Sequence, residues 1–405
     1  MSVKYSQGEP RLLISRSALL HNARILRRAV GAEVRICAIL KADGYGHGAE
    51  IVADTLCNFI RDASSLRPAV DAIAVATIDE AMALPDVPVP VIVFRPVENL
   101  FVGRQRSKIE QAIRDGLVLT VCSQSAAEDL ARIAMACGRR AAIQIIVDTG
   151  MTRSGVNHSE FPELLEKIAT RPSLRLTGVC THFANADDPS DACTLEQIER
   201  FAAVTNTPVI GPKVTRHAAN SAALFFHPTS HFDMVRPGLA LYGIDPIGKP
   251  SLDRPLRPAM RWTAPLIGIR DVSRGTSVGY AHTWQAPADT RIGLVPVGYA
   301  DGYLRCFSNQ ATVRVAGRAA PVVGRVSMDL ITIDLGRHPQ AAIGDEVTLL
   351  DNDPLSPASV YRLADMAQTI PYEIFCRIGP RVQRVAMEPE EAEFEPIEQD
   401  REPAF

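Results

Sequence analysis

Residues 38–48 read AILKADGYGHG: an apolar run, a lysine, then three glycines, a tyrosine and a histidine within the next seven positions. The apolar run starts upstream, as RICAIL over 35–40, and has the length and branching of a buried strand. Lys41 therefore stands at the carboxyl end of a strand, just before a glycine-rich turn. The glycines fall at 44, 46 and 48, which is not the order of a dinucleotide-binding fingerprint. Taken alone, a lysine before a glycine turn reads as a surface residue. Its surroundings change that reading.

Further strand candidates lie at 72–76, 89–94, 117–121, 142–147 and 174–180, with weaker ones at 213–217 and 233–236. Helical spacing fills the gaps. Over 16–30, Leu19, Ala23, Leu26 and Val30 form one stripe, with Ser15 or Ser17 placed to cap. Eight strand-then-helix units in about 240 residues is the size of a (β/α)8 barrel. A doubly wound sheet has the same alternation, and periodicity does not separate the two. In a barrel, a lysine at a strand's carboxyl end faces the active-site mouth, where partial burial lowers its amine pKa and suits it to Schiff-base chemistry.

After about Tyr242 the texture changes. Prolines cluster at 246, 250, 255 and 258, and short β-branched runs follow at 292–297, 311–315, 320–323, 330–334 and 346–350. Only 360–368 has helical spacing there. The expected fold class is α/β, with an N-terminal (β/α)8 TIM-type barrel over 1–245, a mostly β C-terminal domain over 246–387 and a tail over 388–405. A first strand near 11–15 is a candidate to join the C-terminal domain instead.

The chain has 405 residues, 46% hydrophobic and 22% charged, an ordinary globular composition. No apolar run approaches the roughly 20 residues of a bilayer span, and no signal-peptide pattern opens the chain. A cytoplasmic location is the expectation. The net charge is −3, with eight acids and one base in the tail EPEEAEFEPIEQDREPAF, which is expected to be disordered. The slight positive excess elsewhere is too diffuse to suggest nucleic acid. Eight cysteines include no C-x-x-C pair, and no H-E-x-x-H occurs, so no metal is expected; reduced, mostly buried thiols are.

The stretch 38–48 resembles the cofactor-lysine motif of alanine racemases and of the wider class of barrel-fold pyridoxal-phosphate enzymes. The resemblance implies that Lys41 binds the aldehyde of pyridoxal 5′-phosphate and that Tyr45 contacts its phosphate. Other motifs follow in family order. VDTGMTRSG at 147–155 is similar to the segment whose arginine, here Arg153, binds the substrate carboxylate and the cofactor's phenolic oxygen. THFANAD at 181–187 is similar to the segment with a histidine, here His182, stacked under the pyridine ring. RHAANSA at 216–222 places Ser221 at the phosphate and His217 beside the next motif's arginine. In MVRPGLALYG, at 234–243, Arg236 matches the arginine facing the pyridine nitrogen, and Gly238 and Leu239 match phosphate-binding amides. SVGYAHTW at 277–284 places Tyr280 as the second catalytic base. VGYADGYLR at 297–305 supplies Tyr299 and Arg305, and GRVSMDL at 324–330 supplies Arg325, Met328 and Asp329, Met328 at the substrate and the others about the entrance. IPYEIFCRI at 370–378 supplies Tyr372, another phosphate-binding tyrosine. The resemblance runs from about Leu12 to Val385.

The residue types suit a racemase. A Cα–H bond is too weakly acidic for an unaided side chain, so a cofactor must delocalise the carbanion. One base has difficulty reaching both faces of Cα, so Lys41 and Tyr280 on opposite sides are the economical pair. Arg236 does not give up its proton, so the pyridine nitrogen stays unprotonated and transamination is suppressed. The family takes its tyrosine from the other subunit, which implies a homodimer. The expected function is interconversion of L- and D-alanine, supplying D-alanine for peptidoglycan. The alternatives are a racemase for another small amino acid such as serine, and a non-catalytic pyridoxal-phosphate-binding homeostasis protein. The second domain and Tyr280 count against the latter. Arg236 counts against related decarboxylases, which usually place an acid at the pyridine nitrogen.

One position departs from the family. Racemases of this kind often carry a carbamylated lysine seven residues before the arginine of G-M-x-R; here that position is Ile146. Thr152, Ser154 and Ser327 are lesser departures. Because faces alternate along a strand, Gln144, Ile146 and Asp148 are expected on the inward face of the fifth barrel strand. Arg153, expected to be buried there, would then need a substitute anion: chloride, a carboxylate from elsewhere, or more weakly Gln144.

Overall fold

The computed structural model describes residues 8–58, 68–98 and 105–388. Strand β1 (Arg11–Ser15) runs directly into helix Arg16–Val30, whose first turn is capped by Ser15, its hydroxyl accepting from Ala18 N at 3.1 Å. The stripe read from sequence is the buried face of that helix. Asn22 lies on the same face, donating to Leu241 O and Arg257 O and accepting from Arg257 N, so the helix is tied to the segment leaving the barrel.

The barrel strands are β2 (Arg35–Ile39), β3 (Ala72–Val75), β4 (Val91–Val93), β5 (Val118–Val121) and β6 (Ala141–Asp148). A two-residue β7 (Val156–Asn157) adds to the end of β6, and the barrel continues through β8 (Leu174–Cys180), β9 (Thr215–His217) and β10 (Met234–Val235). Every neighbouring pair is parallel, and β10 pairs back onto β2 with Met234 opposite Arg35. That closure excludes a doubly wound sheet. The strands are buried on both faces because helices cover the outside and side chains fill the inside.

The second domain has a six-stranded sheet in the order β17-β16-β19-β11-β1-β20. Its members are β11 (Met260–Pro265), β16 (Thr312–Val315), β17 (Arg318–Pro321), β19 (Glu346–Leu350) and β20 (Gln383–Met387), together with β1. The chain's first strand thus lies antiparallel to β11 and parallel to β20. A three-stranded sheet joins β12 (Gly268–Val272), β15 (Thr290–Val295) and β18 (Ile331–Asp334), and a hairpin joins β13 (Ser277–Val278) to β14 (Trp284–Gln285). Besides the helix Val360–Ala367, a second helix, Pro371–Cys376, follows at once. Its six residues are too few to show periodicity.

All eight cysteines are free, but only Cys37, Cys57 and Cys180 are buried, whereas Cys306 and Cys376 are exposed. The reading of the tail falls, from residue 389 on, outside the described residues. No described helix is long and apolar enough to cross a membrane.

Gly243 ends the turn that leaves the barrel. Its φ is +87°, and a Cβ there would lie 1.8 Å from the Arg257 carbonyl oxygen, a backbone atom that has nowhere to go. Gly248, at φ +75°, has nothing within 4 Å. Gly243→Ala should therefore cost about 3 kcal/mol or more, against roughly 1 kcal/mol for Gly248→Ala, where only the backbone preference is lost. Urea unfolding midpoints of the two variants check the difference.

Candidate active site

The site begins with a strained turn. After β2, Ala42, Asp43, Gly44 and Tyr45 all have left-handed φ values, between +52° and +62°. For the three non-glycine residues this costs about 1 kcal/mol or more each, so something must hold them. Glu80 does. One of its oxygens accepts from Ala42 N at 2.9 Å, and the other accepts from Ala76 N at 2.6 Å and Thr77 N at 3.0 Å. Thr77 in turn caps the helix that carries Glu80. Asp43 closes the turn by accepting from Ala49 N at 2.8 Å.

The turn leaves Lys41 exposed and sends Tyr45 inward, where it is 6% exposed. The protein packed round Lys41, and next the charge of Arg153, lower its amine pKa; Cys376 and Glu80 act the other way. Tyr45 packs against Tyr242 and Tyr372, with ring centroids 5.0 and 5.5 Å apart. Burial keeps all three phenols protonated, that of Tyr372 pushed up to about 12.

Beside them lies a cradle of hydroxyls and backbone amides. Asn220 caps the helix Ser221–Phe226, and Ser221 Oγ accepts from Gly238 N at 2.9 Å and Ala240 N at 3.2 Å. A Cβ at Gly238 would sit 2.5 Å from the Tyr45 hydroxyl, so glycine is what lets that hydroxyl reach the backbone. The amide of Gly238 is committed to Ser221, whereas the Leu239 amide donates to no acceptor among the described residues.

Arg236 is 4% exposed at the end of β10. Its Nη2 donates to Thr181 O at 2.7 Å and to His182 Nδ1 at 3.2 Å, and its Nη1 donates to His217 Nδ1 at 3.1 Å. The guanidinium carbon lies 5.4 Å from the centre of the Phe94 ring. No carboxylate pairs with Arg236 among the described residues. Arginine only donates, so both imidazoles must present an unprotonated Nδ1. Burial first, then the Arg236 charge, keeps them neutral, with His182 lowered to about 3 and His217 well below its ordinary value.

Arg153 does not match its expectation of burial: it is exposed, and no hydrogen bond or ion pair holds its side chain among the described residues. Alternation along β6 says which face a residue takes, not how deep the following loop lies. Asp148 is turned to that loop, accepting from Gly150 N and Thr152 N, both at 3.0 Å. Gln144 and Ile146 are buried, Gln144 donating to Thr120 and Ile146 lying beside Cys180.

The structure therefore gathers Lys41, Tyr45, Arg153, His182, His217, Ser221, Arg236, Gly238, Leu239 and Tyr372 about the barrel mouth. A second group lies on the other domain. Tyr280 is 69% exposed on the β13–β14 hairpin, Met328 54% and Tyr299 42%. Backbone bonds join the segments bearing Tyr299 and Met328, Tyr299 N to Ser327 O and Ala300 N to Met328 O, both at 3.0 Å. Arg325 N abuts Gly279, Arg305 is exposed, and Asp329 accepts from Arg381. No hydrogen bond, ion pair or ring contact among the described residues joins Tyr280 to the Lys41 group within one chain. Sequence reading missed Glu80, although Thr77-x-x-Glu80 is a capping-box pattern. It also missed Cys376, for which no signal existed.

The family model for the alanine racemase N-terminal domain matches residues 14–246, and that for the C-terminal domain matches residues 259–386. An alanine racemase of Chlorobaculum tepidum is 38% identical over 380 residues, 93% of this chain and 94% of its own length. The chain belongs to the alanine racemase family. Its fold matches the alanine racemase of Streptomyces coelicolor with a TM-score of 0.81 at 33% identity, over 94% of this chain and 98% of that one. It also matches the alanine racemase of Bartonella henselae, solved with covalently bound pyridoxal phosphate, with a TM-score of 0.78 at 28% identity, over 94% and 99%.

Buried neutral histidines make the protein acid-sensitive. His47 is fully buried, its Nδ1 donating to Tyr45 O at 3.0 Å, and burial lowers its pKa to about 4; burial also holds His217 well below its ordinary value. The unfolded chain, with histidine near 6.5, takes up these protons first. The stability is therefore whole above about pH 6.5 and is lost as pH falls toward the folded values. Between pH 7 and pH 5 the loss should be about 2 kcal/mol per histidine. Urea midpoints at the two pH values check this, and His47→Gln should flatten the slope.

Proposed function

We propose that the protein interconverts L- and D-alanine with pyridoxal 5′-phosphate, moving a proton at Cα with Lys41 on one face and Tyr280 of the partner subunit on the other. Arg236 is the observation that carries this reading: a buried guanidinium without a carboxylate, aligned by a carbonyl and two neutral imidazoles. It suits a ligand nitrogen that accepts a hydrogen bond and takes no proton.

The other residues fit the same group. Lys41 offers an amine for the aldehyde. The Tyr45 and Ser221 hydroxyls and the Leu239 amide border a place for the phosphate, with Tyr372 alongside. When bound, the cofactor supplies an aldehyde that takes up the substrate amine and a ring that draws electrons from Cα. Arg236 holds the ring nitrogen unprotonated, which limits that withdrawal and favours return of the proton to Cα. Neutral His182, held by Arg236, would flank the ring. Arg153, exposed and unpaired at the mouth, takes the substrate carboxylate by a two-pronged contact. Its charge beside Lys41 also favours the free amine, the form that removes a proton.

Tyr280 stands apart from Lys41 in one chain, on a surface shared with exposed Tyr299 and Met328. That surface supports a homodimer in which each mouth is completed by the other subunit. Cytoplasmic production of D-alanine for peptidoglycan follows from this reading. With Ile146 in place of a lysine that takes up carbon dioxide, activity should not depend on bicarbonate. A panel of amino acids, each followed for loss of optical rotation with the cofactor bound, separates alanine from serine and from absence of turnover.

Borohydride treatment of the holoprotein should abolish its visible band and label Lys41, and Lys41→Ala should prevent both; covalent attachment in that variant would overturn the assignment. Tyr280→Phe should cripple α-proton exchange from one enantiomer far more than from the other, whereas equal modest losses would argue against opposed bases. Mixing Lys41→Ala with Tyr280→Phe chains should recover activity, because a hybrid dimer assembles one intact site. No recovery despite demonstrated subunit exchange would place both groups in one chain.

A further inference from the structure

The carboxylate of Glu80 is divided between two stretches of backbone that leave adjacent barrel strands. Its Oε1 accepts from Ala42 N at 2.9 Å, directly after Lys41. Its Oε2 accepts from Ala76 N at 2.6 Å and Thr77 N at 3.0 Å, just past β3. Strands β2 and β3 are neighbours, with Ile39 opposite Ala74, so this one side chain clips their carboxyl ends together. Glu80 is half-buried on the helix Ile78–Met82, and its own N–H donates to Thr77 Oγ1 at 3.1 Å.

The two oxygens face three N–H groups, and only a carboxylate accepts at both. An amide of the same shape has one oxygen and one NH2. Its oxygen would take the Ala76 and Thr77 side, where it keeps two bonds, and its NH2 would then meet the Ala42 N–H donor to donor. The grip beside Lys41 is therefore the part that needs the carboxylate, and the helix cap is the part that does not.

The position of Ala42 N gives that grip its consequence. The peptide joining Lys41 to Ala42 is planar, so holding its N–H restrains the backbone on both sides: ψ of Lys41 and φ of Ala42. The latter is +53°, a value that a residue with a Cβ leaves unless held. The other anchors of the turn act farther along the chain. Asp43 Oδ1 accepts from Ala49 N at 2.8 Å, and Arg384 Nε donates to Gly46 O at 3.1 Å.

We propose that Glu80 is a positioning residue for Lys41: one carboxylate oxygen directs the lysine by holding the peptide that follows it, and the other moors that hold to the end of β3. The proposal rests on the reading of Lys41 as the amine that takes the cofactor aldehyde, but the clip itself is a property of the protein without cofactor.

Ala42 and Ala76 report the two halves of the clip in one sample, protein labelled with 15N at alanine and free of cofactor. Both amides should exchange slowly with water in the wild type. In Glu80→Gln, exchange at Ala42 should quicken at least about tenfold while Ala76 stays within about threefold. Thr77→Val keeps the branched shape and removes the hydroxyl that accepts from Glu80 N. It should lower the urea midpoint and leave both amides within about threefold of the wild type. In the holoprotein, Glu80→Gln should lower kcat about tenfold with KM for alanine within about twofold, whereas Thr77→Val should leave kcat within about twofold. Unchanged exchange at Ala42 in Glu80→Gln overturns the proposal. Equal quickening at Ala42 and Ala76, or equal loss of kcat in the two variants, overturns it too, leaving Glu80 as a helix cap. Failure of every amino acid to lose optical rotation with the wild type would sink the proposed function instead, and the exchange pattern would still decide the clip.

Discussion

A guanidinium buried without a counter-charge is the constraint from which the barrel interior follows. Leaving Arg236 unmatched would cost several kcal/mol, and no acid among the described residues pairs with it. The protein matches its donors instead with the Thr181 carbonyl and two imidazole lone pairs, over the face of Phe94. Each of those choices restricts something else. His182 and His217 must stay neutral, and burial ensures it. The neighbouring Cys37 and Cys180 do not ionise to supply a negative charge either, because burial raises their thiols to about 12 and about 11 against the opposing pull of Arg236. The interior therefore stays positive, and Arg153 and Lys41 add to that at the mouth. Such a field suits a ligand bringing both a phosphate and a carboxylate.

The mouth depends as much on a strained turn as on charge. Ala42, Asp43 and Tyr45 sit in a backbone region that only glycine adopts freely, and Glu80 alone supplies three of the acceptor contacts in the anchoring. The second domain clamps the turn from the other side. Arg384 of β20 donates to Gly46 O at 3.1 Å while its other nitrogens hold the carbonyls of Ile378, Gly379 and Val382. Because β20 pairs with β1, which runs straight into the first helix of the barrel, chain start, chain end and lysine turn are braced together. Strain at Lys41 is thus sustained by the union of the two domains within one chain.

What was legible in the sequence was whatever is local. Lys41, Tyr45, Ser221 and Arg236 lie within a few residues of strand ends, and the strand with its turn suffices to place them. Closure of the barrel was not legible, since the pairing of β10 with β2 spans the whole domain and leaves no periodic trace. Strand β11 is preceded by a proline cluster and itself ends in Pro265, which hides it among turn signals. Gln144 and Ile146, expected on the inward face of their strand, are buried, but the depth of Arg153 depends on a loop whose course is set by Asp148 accepting two amides. Strand alternation carries no information about that.

The same uncompensated charge bears on the proposed second base. A phenol titrates near 10 in water, and Tyr280 is exposed on its hairpin. Opposite charge within about 4–6 Å is what lowers such a value, while burial alone raises it. In the proposed dimer the hairpin enters a mouth where Lys41, Arg153 and Arg236 are all cationic or within reach of a proton, with no carboxylate paired to Arg236. Burial first, and then the positive charge of Arg153, favours the free amine at Lys41, and in the proposed dimer the same charge would favour an ionised phenol brought to face it. Arg236 adds to that field from the barrel interior, with a smaller effect on Lys41 than Arg153 has. A carboxylate beside Arg236 would weaken that field at both groups together.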